Sequence, residues 1–265
     1  MIAAFGLELR RGRMLVLWVG LVCILYAGGI TLFYPSILES AAEYEKLLAI
    51  YPKELMAAFG IVGSLGDPGT FLNSYVFQFL WPLVAAIVAI LLATRPAADA
   101  ASGFLDLPLS TRLPRLRYLS AAIAGQILAL AVLAAMTIGA IWAVDLLIEP
   151  DFPIDRLALT GVHALTFGLA IAGVSTLLAV MFLDRGKAGG LAAGILIVMY
   201  LLNVLAQLSP DMADLGRLSA FRYFNLKELI DSGVYPLGDS LLYLAFALGG
   251  WLLALVAFRR RDLAA

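Results

Sequence analysis

The chain has 265 residues, of which 63% are hydrophobic and 14% are charged, and its mean hydropathy is +0.96. In soluble globular proteins about half of the residues are apolar and about a quarter are charged, so this composition excludes a water-soluble domain. Eighteen basic and nineteen acidic residues give a net charge of −1, without the basic excess typical of nucleic-acid binding. The single cysteine, Cys23, excludes an intrachain disulfide and a cysteine-based metal site. The composition predicts an all-α, polytopic membrane protein.

Six stretches without Lys or Arg are long enough to cross a bilayer, which needs about 20 mainly apolar residues in a helix. They are residues 14–34, 71–94, 118–148, 157–183, 188–208 and 240–258. The third is the longest, and we expect it to be tilted or to extend beyond the hydrocarbon. The sequence therefore predicts six transmembrane helices.

Six crossings place both termini on one side of the membrane, and the basic residues indicate which side. Twelve of the eighteen Lys and Arg residues lie in the two termini, the second-to-third loop and the fourth-to-fifth loop, together with five acidic residues. The opposite side carries six basic and fourteen acidic residues. Because basic residues accumulate in cytoplasmic loops, we expect both termini to be cytoplasmic.

Residues 1–13 precede the first span and have the pattern of a short amphipathic helix. Ile2, Phe5, Gly6 and Leu9 recur at helical spacing, and charged side chains fill other positions. This pattern favours an interfacial helix, although a merely charged start that sets orientation is the alternative.

Two longer segments are predicted on the outer side. In residues 35–70, apolar positions follow a period near 3.6 as far as Tyr51, and Pro52 should end or kink that helix. Residues 209–238 mix aromatic and charged side chains, a composition typical of a membrane-surface helix. Neither segment is long enough to form a separate domain, so residues 1–265 are predicted to form one membrane domain.

The inner loop, residues 95–117, is too polar to span the membrane and too apolar to be a solvated linker. Its apolar side chains, Phe104, Leu105, Leu107 and Leu109, would be exposed unless another surface covers them. A helix lying on the membrane and a docking element for a cytoplasmic partner explain this composition equally well.

The sequence shows no enzymatic constellation. The only histidine, His163, lies twelve residues before Ser175 in the fourth span, or about 18 Å along a helix, too far for a nucleophile and its base. The Gly186-Lys187 pair lacks the rest of a phosphate-binding loop, because Ala188 stands where Ser or Thr is needed. We therefore expect this chain to bind no cofactor, so active transport would use an ion gradient or ATP hydrolysis in a partner subunit.

The spans contain polar residues that can line a pathway or hydrogen-bond neighbouring helices. The candidates are Asn73, Gln78, Gln126, His163 and Asn203. Gly190 and Gly194 form a GxxxG pattern that permits close helix packing, within the chain or between chains.

Taken in order along the chain, several motifs resemble the membrane permease subunits of type-2 ATP-binding-cassette (ABC) exporters, the group of bacterial drug, antibiotic-resistance and sodium-efflux permeases. The interfacial helix at 1–13 is followed by motifs at Tyr51-Pro52-Lys53-Glu54-Leu55, Ser102-Gly103-Phe104-Leu105-Asp106, Pro108-Leu109-Ser110-Thr111-Arg112, Phe221-Arg222-Tyr223-Phe224 and Phe258-Arg259-Arg260-Arg261-Asp262-Leu263.

The resemblance implies that residues 95–117 are a coupling helix seated in a groove of a cytoplasmic ATPase. The residues implied in this coupling are Asp99, Phe104, Leu105, Asp106, Pro108 and Arg112. It also implies ATP and Mg in partner ATPase subunits, a second membrane subunit in a homodimer or heterodimer, and a bacterial inner membrane. A stand-alone carrier or channel, and a non-transport subunit of a membrane complex, remain alternatives.

Overall fold

The computed structural model describes residues 2–52, 55–56, 61, 63–101, 115–148 and 152–260. Over these residues the chain is helical without any β-strand, and six helices are long and apolar enough to cross a membrane. The predicted class, an all-α membrane protein with six spans, is confirmed.

The first span belongs to helix α1, Ile2–Leu32. Residues 2–13 are helical as predicted, but they continue into the span without a break and so do not form a separate interfacial helix. The packing of Glu8 explains this, since its side chain is buried and lies against the third span at Gly125. The N-terminal turns of α1 are thus part of the bundle.

The second span changes its helix type along its length. It begins as α4, Pro68–Leu72, continues as a π-helical segment, Asn73–Leu80, and ends as α5, Trp81–Ala93. Pro82 lies at the start of α5 and has no N–H to donate back into the preceding turn. The α-helical hydrogen-bond pattern is therefore interrupted at this proline, which favours a π-helical turn before it.

The remaining long helices agree with the predicted spans to within three residues at each end. They are α7, Arg115–Asp145; α8, Ile154–Phe182; α9, Arg185–Leu208; and α11, Leu237–Arg260. Asp184 caps the start of α9, and the backbone N–H of Lys187 holds the pKa of that carboxyl below its ordinary value.

Short helices occupy the connections. On the outer side they are α2, Tyr34–Glu39; α3, Ala41–Leu48; two 3₁₀ helices, Pro210–Leu218 and Ala220–Tyr223; and α10, Lys227–Ser232. On the inner side α6, Arg95–Ala101, follows the second span.

The expectation of a membrane-surface helix at 209–238 is wrong. The segment is broken into 3₁₀ and short α-helical pieces, and it folds back onto the bundle. Phe224, Leu226, Leu229 and Ile230 are all buried, because their apolar side chains fill the outer part of the core between the spans.

Contacts between distant segments confirm which loops share an end of the bundle. Arg11, Asp99 and Tyr118 meet at the end that the charge distribution assigns to the cytoplasm, called here the inner end. At the opposite, outer end, the Tyr34 hydroxyl donates to Gly66 O at 2.6 Å. The helices therefore alternate in direction as six consecutive crossings require.

Candidate functional site

A buried ionic cluster joins three segments at the inner end. Both carboxylate oxygens of Asp99 accept hydrogen bonds of 2.7 Å from Arg11, and one also accepts a 2.5 Å hydrogen bond from the Tyr118 hydroxyl. Asp99 is 4% exposed and Tyr118 2% exposed. The bidentate arrangement fixes the guanidinium in one orientation, so α1, α6 and α7 are tied together at this point.

Glu8 and Arg95 extend this cluster. Glu8 lies 3.5 Å from the Arg11 guanidinium and 3.8 Å from that of Arg95, and Arg95 also donates to the Arg11 carbonyl at 3.2 Å. The two arginines balance Glu8 and Asp99, which allows four charged groups to lie close together in a largely buried site. We call the five residues Glu8, Arg11, Arg95, Asp99 and Tyr118 the inner cluster.

One of the six sequence-predicted coupling residues belongs to this cluster. Phe104, Leu105, Asp106, Pro108 and Arg112 lie outside the described residues, so their role stays a prediction. The sixth, Asp99, lies within the inner cluster, where its carboxylate binds Arg11 and Tyr118. Any part that Asp99 takes in coupling therefore depends on holding α6 in place.

The π-helical segment organises a second site in the outer half of the bundle. In an α-helix, with 3.6 residues per turn, side chains five positions apart point about 140° away from each other. A π-helix joins residues five apart by its hydrogen bonds and so brings such side chains onto one face. Asn73 and Gln78, and likewise Ser74 and Phe79, are related in this way.

Asn73, Gln78 and Asn203, three of the polar residues predicted as pathway or packing residues, line one cavity of about 310 Å³. Sequence reasoning missed its other polar residues, which come from α9 and the outer segment. We call this cavity the amide chamber, and its polar residues are Asn73, Gln78, Asn203, Gln207, Arg222 and Asn225.

Two backbone contacts hold the amide chamber together. Leu226 N donates to Asn73 Oδ1 at 2.9 Å, and Gln78 Nε2 donates to Phe224 O. Both bonds join the second span to residues 224–226, where the chain runs as irregular backbone at the outer end. These polar side chains of the second span thus form hydrogen bonds with backbone groups for which lipid offers no hydrogen-bond partner.

A neighbouring cavity of about 390 Å³ shares Gln78 with the amide chamber and has aromatic walls. We call it the aromatic chamber, and its rings belong to Tyr26, Tyr75, Phe79 and Tyr200. Tyr26 stacks on Phe79 with ring centroids 6.0 Å apart, and its hydroxyl donates to Tyr75 O at 3.2 Å. The two chambers join the π-helical segment to α1 on one side and to α9 on the other.

Gln126 and His163 take part in contacts between helices. Gln126 Oε1 lies 3.0 Å from the Thr176 hydroxyl, and His163 Nδ1 lies 2.7 Å from the Ser240 hydroxyl. Ser240 in turn donates to Tyr235 at 2.8 Å. These contacts join α7 to α8 and α8 to α11, which favours the packing alternative for both residues.

The glycines that pack closely within this chain differ from the GxxxG pair. A Cβ added to Gly190 or Gly194 would meet no atom within 4 Å, so neither glycine packs against a described helix of this chain. A Cβ on Gly173 would instead lie 2.5 Å from Ala247 O, and one on Gly250 would lie 2.5 Å from Gly173 O. The small residues Ala247 and Gly250, about one helical turn apart, are the sequence signal for this contact between α8 and α11.

Among the described residues, no group of three or more His, Cys, Asp or Glu side chains is placed to hold a metal ion. No protein-family model matches the chain, and no curated protein matches it significantly. The fold and its two polar sites define the class: a multi-pass helical membrane protein with a charged cluster at one end and an amide-lined cavity at the other.

Proposed function

We propose that this chain is the membrane subunit of an ABC exporter in a bacterial inner membrane. In this proposal a separate cytoplasmic ATPase binds ATP and Mg, and two membrane subunits, identical or different, form the pathway for a hydrophobic or amphiphilic compound. The resemblance at residues 102–112 and 221–224 motivates the proposal, and the inner cluster is the observation that carries it.

The inner cluster supports coupling because it joins the helices that precede and follow the proposed docking segment. Residues 102–114 connect α6 to α7, and the residues on either side of this segment are joined directly by the hydrogen bond between Tyr118 and Asp99. A force applied to the segment would therefore move α6 and α7 together. Arg11 passes the same movement to α1 through two further hydrogen bonds.

The exposed face of α9 supports the second membrane subunit. Only 11% of the apolar 18-residue stretch of α9 is buried within the chain, against 61% of the corresponding stretch of α8. Gly190 and Gly194 lie on this helix without a packing partner among the described residues. A second copy or a related chain would use these glycines for close approach.

The experiment begins with the tagged chain purified from its native membranes in mild detergent, followed by measurement of ATP hydrolysis. We expect a vanadate-sensitive ATPase to copurify with the wild-type chain. The double variant Phe104→Ala with Leu105→Ala should insert normally and lose this activity, because two apolar anchors of the docking segment are removed.

A matched control truncates two exposed leucines at the outer end of the third span, Leu146→Ala with Leu147→Ala. This control should retain the ATPase. Transport that follows an ion gradient without any ATPase would favour a stand-alone carrier and contradict the proposal. Partner binding without any transport would favour a non-transport subunit.

A further inference from the structure

We propose that the amide chamber and the aromatic chamber together bind an anionic amphiphile. Its acidic headgroup, a phosphate or a carboxylate, lies beside Arg222, and its hydrocarbon chain lies along the rings of the aromatic chamber. The direction in which the amphiphile is moved rests on the proposed function, whereas its binding requires no ATPase.

Arg222 supplies the charge that selects an anion. Its Nη1 donates to Ala213 O at 3.0 Å, and among the described residues no carboxylate lies within salt-bridge distance of its guanidinium. Arg217, five residues earlier, is paired with Asp214 at 3.2 Å. An arginine that has no ion pair with a described residue is therefore available for a phosphate or carboxylate.

The amides beside Arg222 supply donors for the same headgroup. Asn73 uses its oxygen to accept from Leu226 N, which leaves its Nδ2 group as a donor. Asn203 lines the same cavity, and its side-chain amide makes no hydrogen bond with the described residues. An amide that borders a cavity in this way offers its N–H groups to water or to a ligand.

The close approach of Arg222 to α9 depends on a glycine. A Cβ added to Gly216 would lie 3.0 Å from Ala206 Cβ and 3.1 Å from Arg222 Nη1. Glycine at this position leaves room for the 3₁₀ helix, the guanidinium and α9 to meet at the cavity wall.

The two chambers match the two parts of an amphiphile. They share Gln78, and their volumes of about 310 and 390 Å³ are each within the range of small-molecule sites. One is lined by amides and a guanidinium, whereas the other is lined by aromatic rings. A headgroup and its chain can therefore occupy adjoining spaces without burying a charge among apolar side chains.

The position of the chambers allows entry from the outer leaflet. Asn73 lies five residues inside the start of the second span, and Asn203 lies five residues before the end of α9. At 1.5 Å per residue both amides are about 8 Å from the helix ends, near the depth of lipid headgroups. Phe79 is 63% exposed, so the aromatic chamber borders the surface that faces lipid.

The binding test uses the full chain in nanodiscs of phosphatidylcholine. The probe is a lysophosphatidic acid with pyrene at the end of its chain, and pyrene fluorescence reports binding. We expect saturable binding of this probe and at least about tenfold weaker binding of the monoacylglycerol with the same labelled chain, because only the phosphate meets Arg222. Inorganic phosphate, which lacks the chain, should not compete.

Two pairs of variants locate the probe. Arg222→Gln should weaken binding of the lysophosphatidic acid about tenfold or more and leave the monoacylglycerol unchanged. Its control, Arg217→Gln, makes the same change in charge on the same segment and should have little effect. Probes with longer hydrocarbon chains should bind more tightly, and Phe79→Ala should reduce this increase in affinity. Phe246→Ala, beside a separate apolar cavity of about 370 Å³, should not reduce it.

Two results would overturn the proposal. One is equal binding of the phosphate and glycerol probes, and the other is unchanged binding in both Arg222→Gln and Phe79→Ala. An acidic headgroup could belong to a bilayer lipid or to a single-chain cargo, and nanodiscs containing phosphatidylglycerol distinguish the two. If phosphatidylglycerol competes with the probe, the site is assigned to a bilayer lipid. If it does not compete, the site is assigned to a single-chain cargo. Binding that persists in preparations without an ATPase supports this inference even if the proposed function fails.

Discussion

The inner cluster and the amide chamber use arginine in opposite ways. At the inner end, Arg11 is held by both oxygens of a carboxylate that is itself buried and bound to a tyrosine. At the outer end, Arg222 has a backbone carbonyl as its partner and faces a cavity of amides. The first arrangement fixes three helices relative to one another, whereas the second leaves a guanidinium and amides facing a cavity.

The largest expected effect is that of Arg11→Ala, which would leave the buried Asp99 carboxylate without its bidentate partner. Removing one member of a buried ion pair costs about 3–5 kcal/mol, and we expect a loss near the lower limit because Arg11 is partly exposed. Thermal unfolding in detergent, followed by far-UV circular dichroism, measures this loss. Arg10→Ala is the control on the exposed side of the same helix, and equal effects of the two variants would contradict the role of the cluster.

A smaller effect is expected for Tyr118→Phe, which removes one hydrogen bond to Asp99 and preserves the ring. Hydrogen bonds to charged groups contribute about 1.5–3 kcal/mol, so the variant should be intermediate in stability. Tyr200→Phe is its matched control, because Tyr200 is 40% exposed and lies in the aromatic chamber. Equal unfolding temperatures for the two variants would show that the Tyr118 hydroxyl does not stabilise the inner end.

The smallest effect on stability is expected for Arg222→Gln. Substitutions at exposed positions usually change the free energy of unfolding by less than about 0.5 kcal/mol, and this arginine has no ion pair to lose among the described residues. The same thermal measurement checks this expectation. A loss as large as that of Tyr118→Phe would make Arg222 a structural residue and remove the contrast between the two ends.

The spans and their order were predictable because apolar length and the distribution of charge act locally along the chain. The six spans can be predicted from the lengths of the apolar stretches alone. The number of crossings then determines which loops lie at the same end of the bundle. The helix at the N-terminus was predictable from its period. Its continuity with the first span depends on Glu8 packing against α7, a contact far away in sequence.

The two polar sites were only partly predictable. Asn73, Gln78 and Asn203 stand out as polar residues in apolar spans, but their convergence depends on the π-helical segment before Pro82, and a proline alone does not specify the extent of that segment. The composition around Arg222 predicts a surface helix, because the folding of residues 209–238 onto the bundle depends on tertiary packing. The resemblance implies that Asp99 takes part in coupling, but the spacing of residues along the chain does not indicate its partners Arg11 and Tyr118.

The central claim is that ATP binding in a partner subunit moves the inner end of this chain through residues 102–114 and the inner cluster. Its most direct test is a distance measurement by double electron–electron resonance between spin labels at positions 116 and 191, near the inner ends of α7 and α9, in a Cys23→Ala background. The account predicts that ATP with vanadate shifts the distance distribution in the purified complex and that Phe104→Ala with Leu105→Ala abolishes this shift. In protein with an unaltered docking segment, identical distance distributions with and without ATP would contradict the claim.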